Sequence, residues 1–292
     1  MEDQAKELKR LMQENGNAGR VNIPPQRKTK IIAVTSGKGG VGKTNIATNL
    51  GIAYAEMGKK VIVIDADLGL ANVNVMLNLT PQYNLYHVIK GQKTMAEIIN
   101  TTNYGIKLIA GASGFSKIAN MNEDERTAFI KEMYTLAEAD IIIIDTSAGV
   151  SNNVISFLVA ADEVIVVTTT EPTAITDAYG IIKIIATEID NIDLNLKLIV
   201  NRVNNSADGK KIADRMVQIA SQFLNLKIEY LGFIYQDNAV EQSVLKQMPF
   251  YAYAPKCKAS ACIRHIVYRL EKTGYKEVGG LGAFLQKLFR RF

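Results

Sequence analysis

Short apolar runs alternate with longer amphipathic segments along most of this chain. The runs are rich in isoleucine and valine, which is typical of parallel strands that are buried on both faces. They occupy residues 31–34, 60–64, 106–110, 141–144, 162–168, 196–200 and 230–234. Helical patterns occupy residues 45–54, 85–90, 95–100, 123–138, 174–188, 206–224, 238–247 and 260–270. Because strands alternate with helices, the pattern predicts an α/β fold whose doubly wound, mostly parallel sheet has helices on both faces.

A glycine-rich loop joins the first predicted strand to the first predicted helix, in the order that a phosphate-binding loop requires. Its glycines let the backbone wrap a phosphate, and the helix adds its positive end. Lys43 is predicted to reach the β- and γ-phosphates, and the Thr44 hydroxyl to bind Mg²⁺. The alternative is a glycine turn that binds nothing. The candidate nucleotide-binding residues of this loop are Gly37, Lys38, Gly39, Gly40, Val41, Gly42, Lys43, Thr44 and Asn45.

Polar side chains follow three predicted strands at the sheet edge where open α/β folds bind their ligands. Asp65 and Asp145 are predicted to complete the Mg²⁺ site. Asp67 is predicted to orient the water that attacks the γ-phosphate, although a solvated turn with a helix cap is the alternative for Asp65 and Asp67. Asn201 and Arg202 suit an adenine ring, since an amide pairs with its edge and a guanidinium stacks on its face.

Composition limits the class of protein. The net charge of +5 is mild for 292 residues and is concentrated at the two ends, so it does not by itself indicate a nucleic-acid partner. Two cysteines, Cys257 and Cys262, and the lack of a signal-peptide pattern predict a reduced, cytoplasmic protein. No apolar run approaches the ~18 residues that a membrane span needs.

Lys38 is a second loop lysine that an ordinary phosphate-binding loop does not need. Its place in Lys-Gly-Gly-Val-Gly-Lys-Thr resembles the signature of the MinD/ParA family of deviant-Walker-A ATPases. The resemblance implies a P-loop NTPase that dimerises with ATP, so that Lys38 reaches the partner's nucleotide phosphates; alternatively, Lys38 contacts only its own nucleotide. It also implies slow, regulatory hydrolysis of ATP to ADP and phosphate. The residues that this reaction would use are Lys38, Lys43, Asp65, Asp67 and Asp145.

Other stretches resemble the same family. The resemblance at a Glu-Pro-Thr junction implies that Glu171 approaches the ribose. The match at Asn201 implies that its amide contacts the adenine. Asp237 stands where the family makes further adenine contacts. Helix capping remains the alternative for Glu171, and a simple turn for Asp237. Residues 146–149 resemble switch II, in which Ser147 departs from the glycine usual in a flagellar branch of the family.

The N-terminal segment stands apart from the predicted fold. Residues 2–13 could form a short helix, which is marginal in water, so the segment is either a disordered tail or an arm that folds on a partner. Its Asp3, Gln4, Ala5 and Leu8 resemble the N-terminal motif of the flagellar branch. That resemblance implies control of flagellar number and placement, with the arm stimulating the flagellar GTPase FlhF. Further partners that the resemblance implies are flagellar switch or C-ring components, or a transcription regulator.

The C-terminal segment after Gly279 and Gly280 is amphipathic, with its apolar positions on one helix face and its basic positions off it. The predicted membrane-binding residues are Leu281, Phe284, Leu285, Leu288, Phe289, Phe292, Lys287, Arg290 and Arg291. This segregation is typical of a helix at an anionic membrane surface, and the alternative is a terminal helix docked on the core. One tail should bind weakly, whereas two tails on a dimer gain from avidity. The family resemblance also implies a membrane-targeting helix here.

The expected organisation is an activator arm and linker at 1–29, a MinD-like ATPase domain at 30–275 and a membrane-targeting helix at 279–292. The expected location is the cytoplasm, peripheral on the inner face of the cell membrane, with no sequence-specific nucleic acid as partner. A division-site MinD-type ATPase would lack the arm, a ParA-type partition ATPase would bind DNA, and a scaffold would bind nucleotide without turnover. A nitrogenase-like iron protein is excluded because no cysteine lies near the nucleotide loops.

Overall fold

The computed structural model describes residues 29–67, 72–111, 121–188, 194–272 and 279–291, without the side chain of Arg291. The strands are β1 (Lys30–Ser36), β2 (Val61–Ala66), β3 (Ile99–Thr101), β4 (Ile106–Ala110), β5 (Ile141–Ala148), β6 (Glu163–Thr169), β7 (Asn195–Val203) and β8 (Ile228–Tyr235). The first six α-helices are α1 (Lys43–Glu56), α2 (Val73–Met76), α3 (Leu85–Ile89), α4 (Met95–Ile98), α5 (Glu123–Tyr134) and α6 (Asn152–Ala160). The others are α7 (Pro172–Glu188), α8 (Ser206–Leu224), α9 (Asn238–Leu245), α10 (Phe250–Tyr253), α11 (Lys258–Lys272) and α12 (Gly280–Arg291). A 3₁₀ turn at Thr135–Glu138 extends α5.

These strands form one eight-stranded sheet in the order β3-β4-β2-β5-β1-β6-β7-β8. Every neighbouring pair is parallel except β3 and β4, which are antiparallel. Alternate residues of each central strand enter different cores: Ile31 joins one buried cluster and Ile32 the other. The sheet is therefore covered by helices on both faces, and the predicted doubly wound α/β fold is confirmed.

Ion pairs of two buried lysines lie near the amino ends of the strands, at the edge of the sheet away from the phosphate-binding loop. Lys30 Nζ is 3.0 Å from Glu163 Oε1, and Lys197 Nζ is 2.7 Å from Glu229 Oε2. Burial raises the pKa of Glu163, and the charges of Lys30 and Lys197 oppose that rise. Glu163 is thus the buried ion-pair partner of Lys30, whereas Lys197 pairs with Glu229.

The C-terminal helix α12 is docked on the core, as in the alternative that the sequence left open. Its apolar side chains are at most 7% exposed, namely Leu281, Phe284, Leu285, Leu288 and Phe289. The ring of Phe289 meets that of Phe129 edge to face, with centroids 6.1 Å apart. At the start of the helix, Gly279 N–H donates to Asp162 Oδ1 at 2.9 Å. Any membrane contact through this apolar face therefore requires the helix to leave the core.

The exposed side of α12 carries Lys287 and Arg290, so the predicted segregation of charge is present. The Arg291 side chain and Phe292 lie outside the described residues, as do the arm positions Asp3, Gln4, Ala5 and Leu8. Within the described ranges, every helix is too short or too polar to span a bilayer.

Candidate nucleotide-binding site

The phosphate-binding loop runs from the end of β1 to the start of α1, and several of its positions require glycine. Gly40 (φ 76°) and Gly42 (φ 94°) have left-handed backbones, and Gly42 caps helix α1. A Cβ on Gly37 would lie 2.1 Å from the carbonyl carbon of Asp177 in α7. The loop backbone therefore packs directly on helix α7, and a side chain at Gly37 would force the two apart.

The loop lysine meets the carboxylate at the end of β5: Lys43 Nζ is 3.0 Å from Asp145 Oδ1, and both side chains are buried. Burial raises the pKa of Asp145, and the neighbouring Lys43 and Thr44 side chains oppose the rise. The other carboxylate oxygen, Oδ2, is buried and makes no hydrogen bond. Such an oxygen is costly to bury unless a cation or donor reaches it.

Asp65 lies directly beside Asp145 in the parallel ladder of β2 and β5. It is 1% exposed, and its oxygens accept hydrogen bonds from the N–H groups of Asp67 and Val73, each at 3.1 Å. Burial first, and the charge of Asp145 second, raise the pKa of Asp65 to about 7. Two adjacent buried carboxylates and the Thr44 hydroxyl supply oxygen donors of the kind that Mg²⁺ takes when substrate phosphates complete its shell. The residues present therefore fit Mg²⁺ with a nucleotide.

Asp67 is half-buried and completes a group of three carboxylates, since its charge raises the pKa of both Asp65 and Asp145. Its Oδ1 accepts a hydrogen bond from Ser147 Oγ at 3.1 Å. Residues 68–71, which follow it, lie outside the described residues. The structure thus brings the three predicted aspartates together at one edge of the sheet.

Lys38 makes contacts within its own chain that the sequence did not predict. Its Nζ is 3.0 Å from Glu171 Oε2 and donates to Thr173 Oγ1 at 2.9 Å. The Lys38 and Glu171 side chains are 39% and 56% exposed, so the pair contributes little to stability. A weak, exposed pair of this kind leaves Lys38 able to exchange Glu171 for a phosphate group.

A cleft of about 770 Å³ lies beside the loop and has the predicted base-binding residues in its wall. Its lining includes Asn45, Glu171, Asn201, Arg202 and Asp237. Thr169 and Thr170 also line the cleft, although we did not predict them as site residues from the sequence. The sequence contains a signal for these two residues, because they lie at the carboxyl end of strand β6, which is the same ligand edge of the sheet where the aspartates lie.

Asn201 is bonded to the phosphate-binding loop. Its Nδ2 donates to the Val41 carbonyl at 2.7 Å, and its Oδ1 accepts from the Arg202 N–H at 2.9 Å. A Cβ on Gly42 would lie 2.3 Å from that Nδ2, so the loop and the amide are in close contact. Arg202 is exposed and has a left-handed backbone (φ 55°), which is uncommon outside glycine and is concentrated at functional sites. Asn201 therefore ties strand β7 to the loop in addition to lining the cleft.

Asp237 acts mainly as a cap. Its Oδ1 accepts from the Ala239 N–H at 2.9 Å at the start of α9, and its Oδ2 accepts from the Ala259 N–H at 3.1 Å in α11. These backbone bonds lower the pKa of Asp237 despite the opposing effect of burial. The structure therefore favours the turn alternative for this residue, and a contact to adenine stays a prediction.

Residues 32–250 match the family described as the CobQ/CobB/MinD/ParA nucleotide binding domain. Similar curated proteins include the antiactivator FleN of Pseudomonas aeruginosa, 34% identical over 83% of this chain and 86% of that protein. The flagellum site-determining protein YlxH of Helicobacter pylori is 36% identical over 99% of both chains. The septum site-determining protein MinD of Bacillus subtilis is 34% identical over 82% of this chain and 88% of that protein. Among solved structures, MinD of Pyrococcus horikoshii complexed with Mg-ADP has a TM-score of 0.67 at 26% identity, covering 84% of this chain and 96% of that one.

Proposed function

Since this chain belongs to the MinD/ParA family of nucleotide-binding ATPases, in the flagellar branch of FleN and YlxH (FlhG), we propose that it is an ATP-dependent switch that regulates flagellar number and placement. In this proposal the ATP-bound chain dimerises, associates with the inner face of the membrane and hydrolyses ATP slowly. The observation that carries it is the meeting of Lys43, Asp65 and Asp145 beside a loop that requires its glycines.

Hydrolysis needs one bond formed and one broken at the γ-phosphorus. The water oxygen bonds to phosphorus, and the bond from phosphorus to the β–γ bridging oxygen breaks with its electron pair staying on ADP. The proton that the water loses ends on the released phosphate. Lys43 stabilises negative charge on the phosphates, and Asp67 accepts a hydrogen bond from the water and orients it. Asp65, Asp145 and Thr44 would hold Mg²⁺, which supplies further neutralisation of the phosphates when bound.

We assign dimerisation to Lys38. Its side chain would break the contact with Glu171 and bind the nucleotide phosphates of a second subunit. The test is light scattering with ATP, in an Asp67→Ala background that slows hydrolysis. We expect a dimer that Lys38→Ala abolishes. Lys93→Ala is the matched control, because Lys93 is another surface lysine paired with a glutamate, at 2.9 Å, and its loss should leave the dimer intact. A Lys38→Ala chain that still dimerises with ATP would contradict this assignment.

Membrane attachment is assigned to release of α12 from the core. Transfer of its apolar face from the core to a bilayer exchanges one apolar environment for another, so the hydrophobic terms largely cancel. The exposed Lys287 and Arg290 add about 1 kcal/mol each near anionic lipid. Because the docked and membrane-bound states of α12 are then close in free energy, a modest effect of ATP can determine which state is populated. We expect co-sedimentation with anionic vesicles in ATP but not in ADP, and equal binding in both nucleotides would contradict the coupling.

The N-terminal arm is assigned to stimulation of the flagellar GTPase FlhF. A peptide of residues 1–20 should raise the GTP hydrolysis rate of FlhF, and the same peptide carrying Gln4→Ala and Leu8→Ala should not. Without stimulation, control of the division site becomes the better function, in keeping with the similarity to the Bacillus subtilis septum protein. ATP-dependent, salt-sensitive retention on DNA would instead support a partition function.

A further inference from the structure

A hydrogen bond joins Ser147, near the end of β5, to Asp67, which directly follows β2. Ser147 Oγ donates to Asp67 Oδ1 at 3.1 Å, and Ser147 Oγ is also 3.5 Å from the Ala66 carbonyl. Both side chains are half-buried, so the bond is partly shielded from water. A hydrogen bond to a carboxylate is stronger than one between neutral groups, and partial shielding preserves that strength.

The strand register explains why these two residues meet. In the parallel ladder of β2 and β5, Asp65 is paired with Asp145, and Ala66 with Thr146. Asp67 directly follows the last residue of β2, and Ser147 directly follows Thr146 in β5. The paired ends of β2 and β5 bring the Asp67 carboxylate within hydrogen-bonding distance of the Ser147 hydroxyl. A hydroxyl at position 147 reaches the carboxylate, whereas glycine or alanine there would provide no donor.

We propose that Ser147 is a positioning residue that holds the Asp67 carboxylate in the orientation needed to direct the attacking water. The inference rests on the proposed ATPase function and on the role of Asp67 in it. Strand β2 ends at Ala66, so the sheet ladder no longer holds Asp67. The bond from Ser147 on β5 supplies a fixed donor from the strand that also carries Asp145. Ser147 acts through Asp67, and the proposal gives it no contact with ATP.

The test compares steady-state ATP hydrolysis by the full chain and four variants. Ser147→Ala should lower kcat about tenfold, because the loss of one positioning bond partly misaligns Asp67 and a misplacement of about 1 Å can cost about a hundredfold, and should leave KM for ATP within about twofold. Ser147→Thr keeps the hydroxyl and should restore most of the lost rate. Ser156→Ala removes a hydroxyl that bonds within α6, to the Asn152 carbonyl at 2.9 Å, and should leave kcat unchanged. Asp67→Ala should reduce hydrolysis to background.

A second measurement needs no turnover. Urea midpoints of the nucleotide-free chain are compared for Ser147→Ala, Asp67→Ala and the double variant. Because both single changes delete the same bond, the midpoint shift of the double variant should be smaller than the sum of the single shifts. Additive shifts, or an unchanged kcat in Ser147→Ala, would overturn the role of Ser147. Normal hydrolysis by Asp67→Ala would instead overturn the assigned role of Asp67, so the two failures are distinguishable.

Discussion

Asp65→Asn should stabilise the nucleotide-free protein at neutral and alkaline pH, although it removes a predicted Mg²⁺ ligand. Asp65 is 1% exposed and faces Asp145, and together these effects raise its pKa from the ordinary 3.8 to about 7. A carboxyl whose folded-state pKa is raised binds its proton more tightly in the folded state than in the unfolded state. Its contribution to stability is therefore present at low pH and is lost as the pH rises from about 4 through about 7.

The magnitude follows from the pKa. Each pKa unit corresponds to about 1.4 kcal/mol, so ionised Asp65 destabilises the fold by at most about 4 kcal/mol above pH 7. Asparagine cannot ionise. The Asp65 carboxylate now accepts hydrogen bonds from the N–H groups of Asp67 and Val73, and the NH₂ group of asparagine would face one of these donors and lose that bond. That loss costs about 1–3 kcal/mol, which leaves a net gain of about 2 kcal/mol at pH 8.

The assay is urea denaturation from pH 5 to pH 8 with EDTA and without nucleotide. The stability of Asp65→Asn relative to the unmutated chain should grow by about 2–3 kcal/mol across this range. Asp214→Asn, at an exposed position in α8, is the control and should show no such growth. An Asp65→Asn advantage that is absent at pH 8, or that does not change with pH, would refute the reasoning about burial and charge.

Three further outcomes are expected elsewhere in the molecule. Glu163→Ala should lower the free energy of unfolding by about 3–5 kcal/mol in urea titrations, because the buried Lys30 loses its carboxylate partner; a change below 1 kcal/mol would contradict the burial argument. Gly37→Ala should abolish binding of a fluorescent ADP analogue, because its Cβ would lie 2.1 Å from the α7 backbone; normal affinity would show that the loop can move away. Asp162→Ala removes the acceptor of the Gly279 N–H and should raise vesicle binding in ADP, and unchanged binding would show that this bond does not hold α12.

The phosphate-binding edge was accessible from sequence because its signals are local. The loop glycines, Lys43 and the aspartates at strand ends lie within short stretches whose strand or helix type follows from a simple apolar pattern. Helix α6 was missed because it has only nine residues, most of them buried, and a short apolar run cannot be told from a buried strand by its pattern. Strand β3 was missed because Ile99–Thr101 is too short to show a pattern.

Pairings between distant segments could not be predicted in the same way. The contact of Lys38 with Glu171 joins residues 133 positions apart, and that of Asn201 with Val41 joins residues 160 apart. Each depends on strand order, which fixes the loops that become neighbours. For helix α12, the sequence pattern identified the apolar face, but a periodic pattern does not show whether a protein core or a lipid surface covers that face.

Control of helix α12 by the nucleotide site is best measured by hydrogen–deuterium exchange of residues 280–291. The Asp67→Ala chain would be compared in ADP and in ATP, with protection of the phosphate-binding loop in both nucleotides as proof of binding. We expect slow exchange of α12 in ADP, where its apolar face is buried, and fast exchange in ATP, where the helix is released. Equal protection of α12 in the two nucleotides, with the loop protected in both, would contradict it.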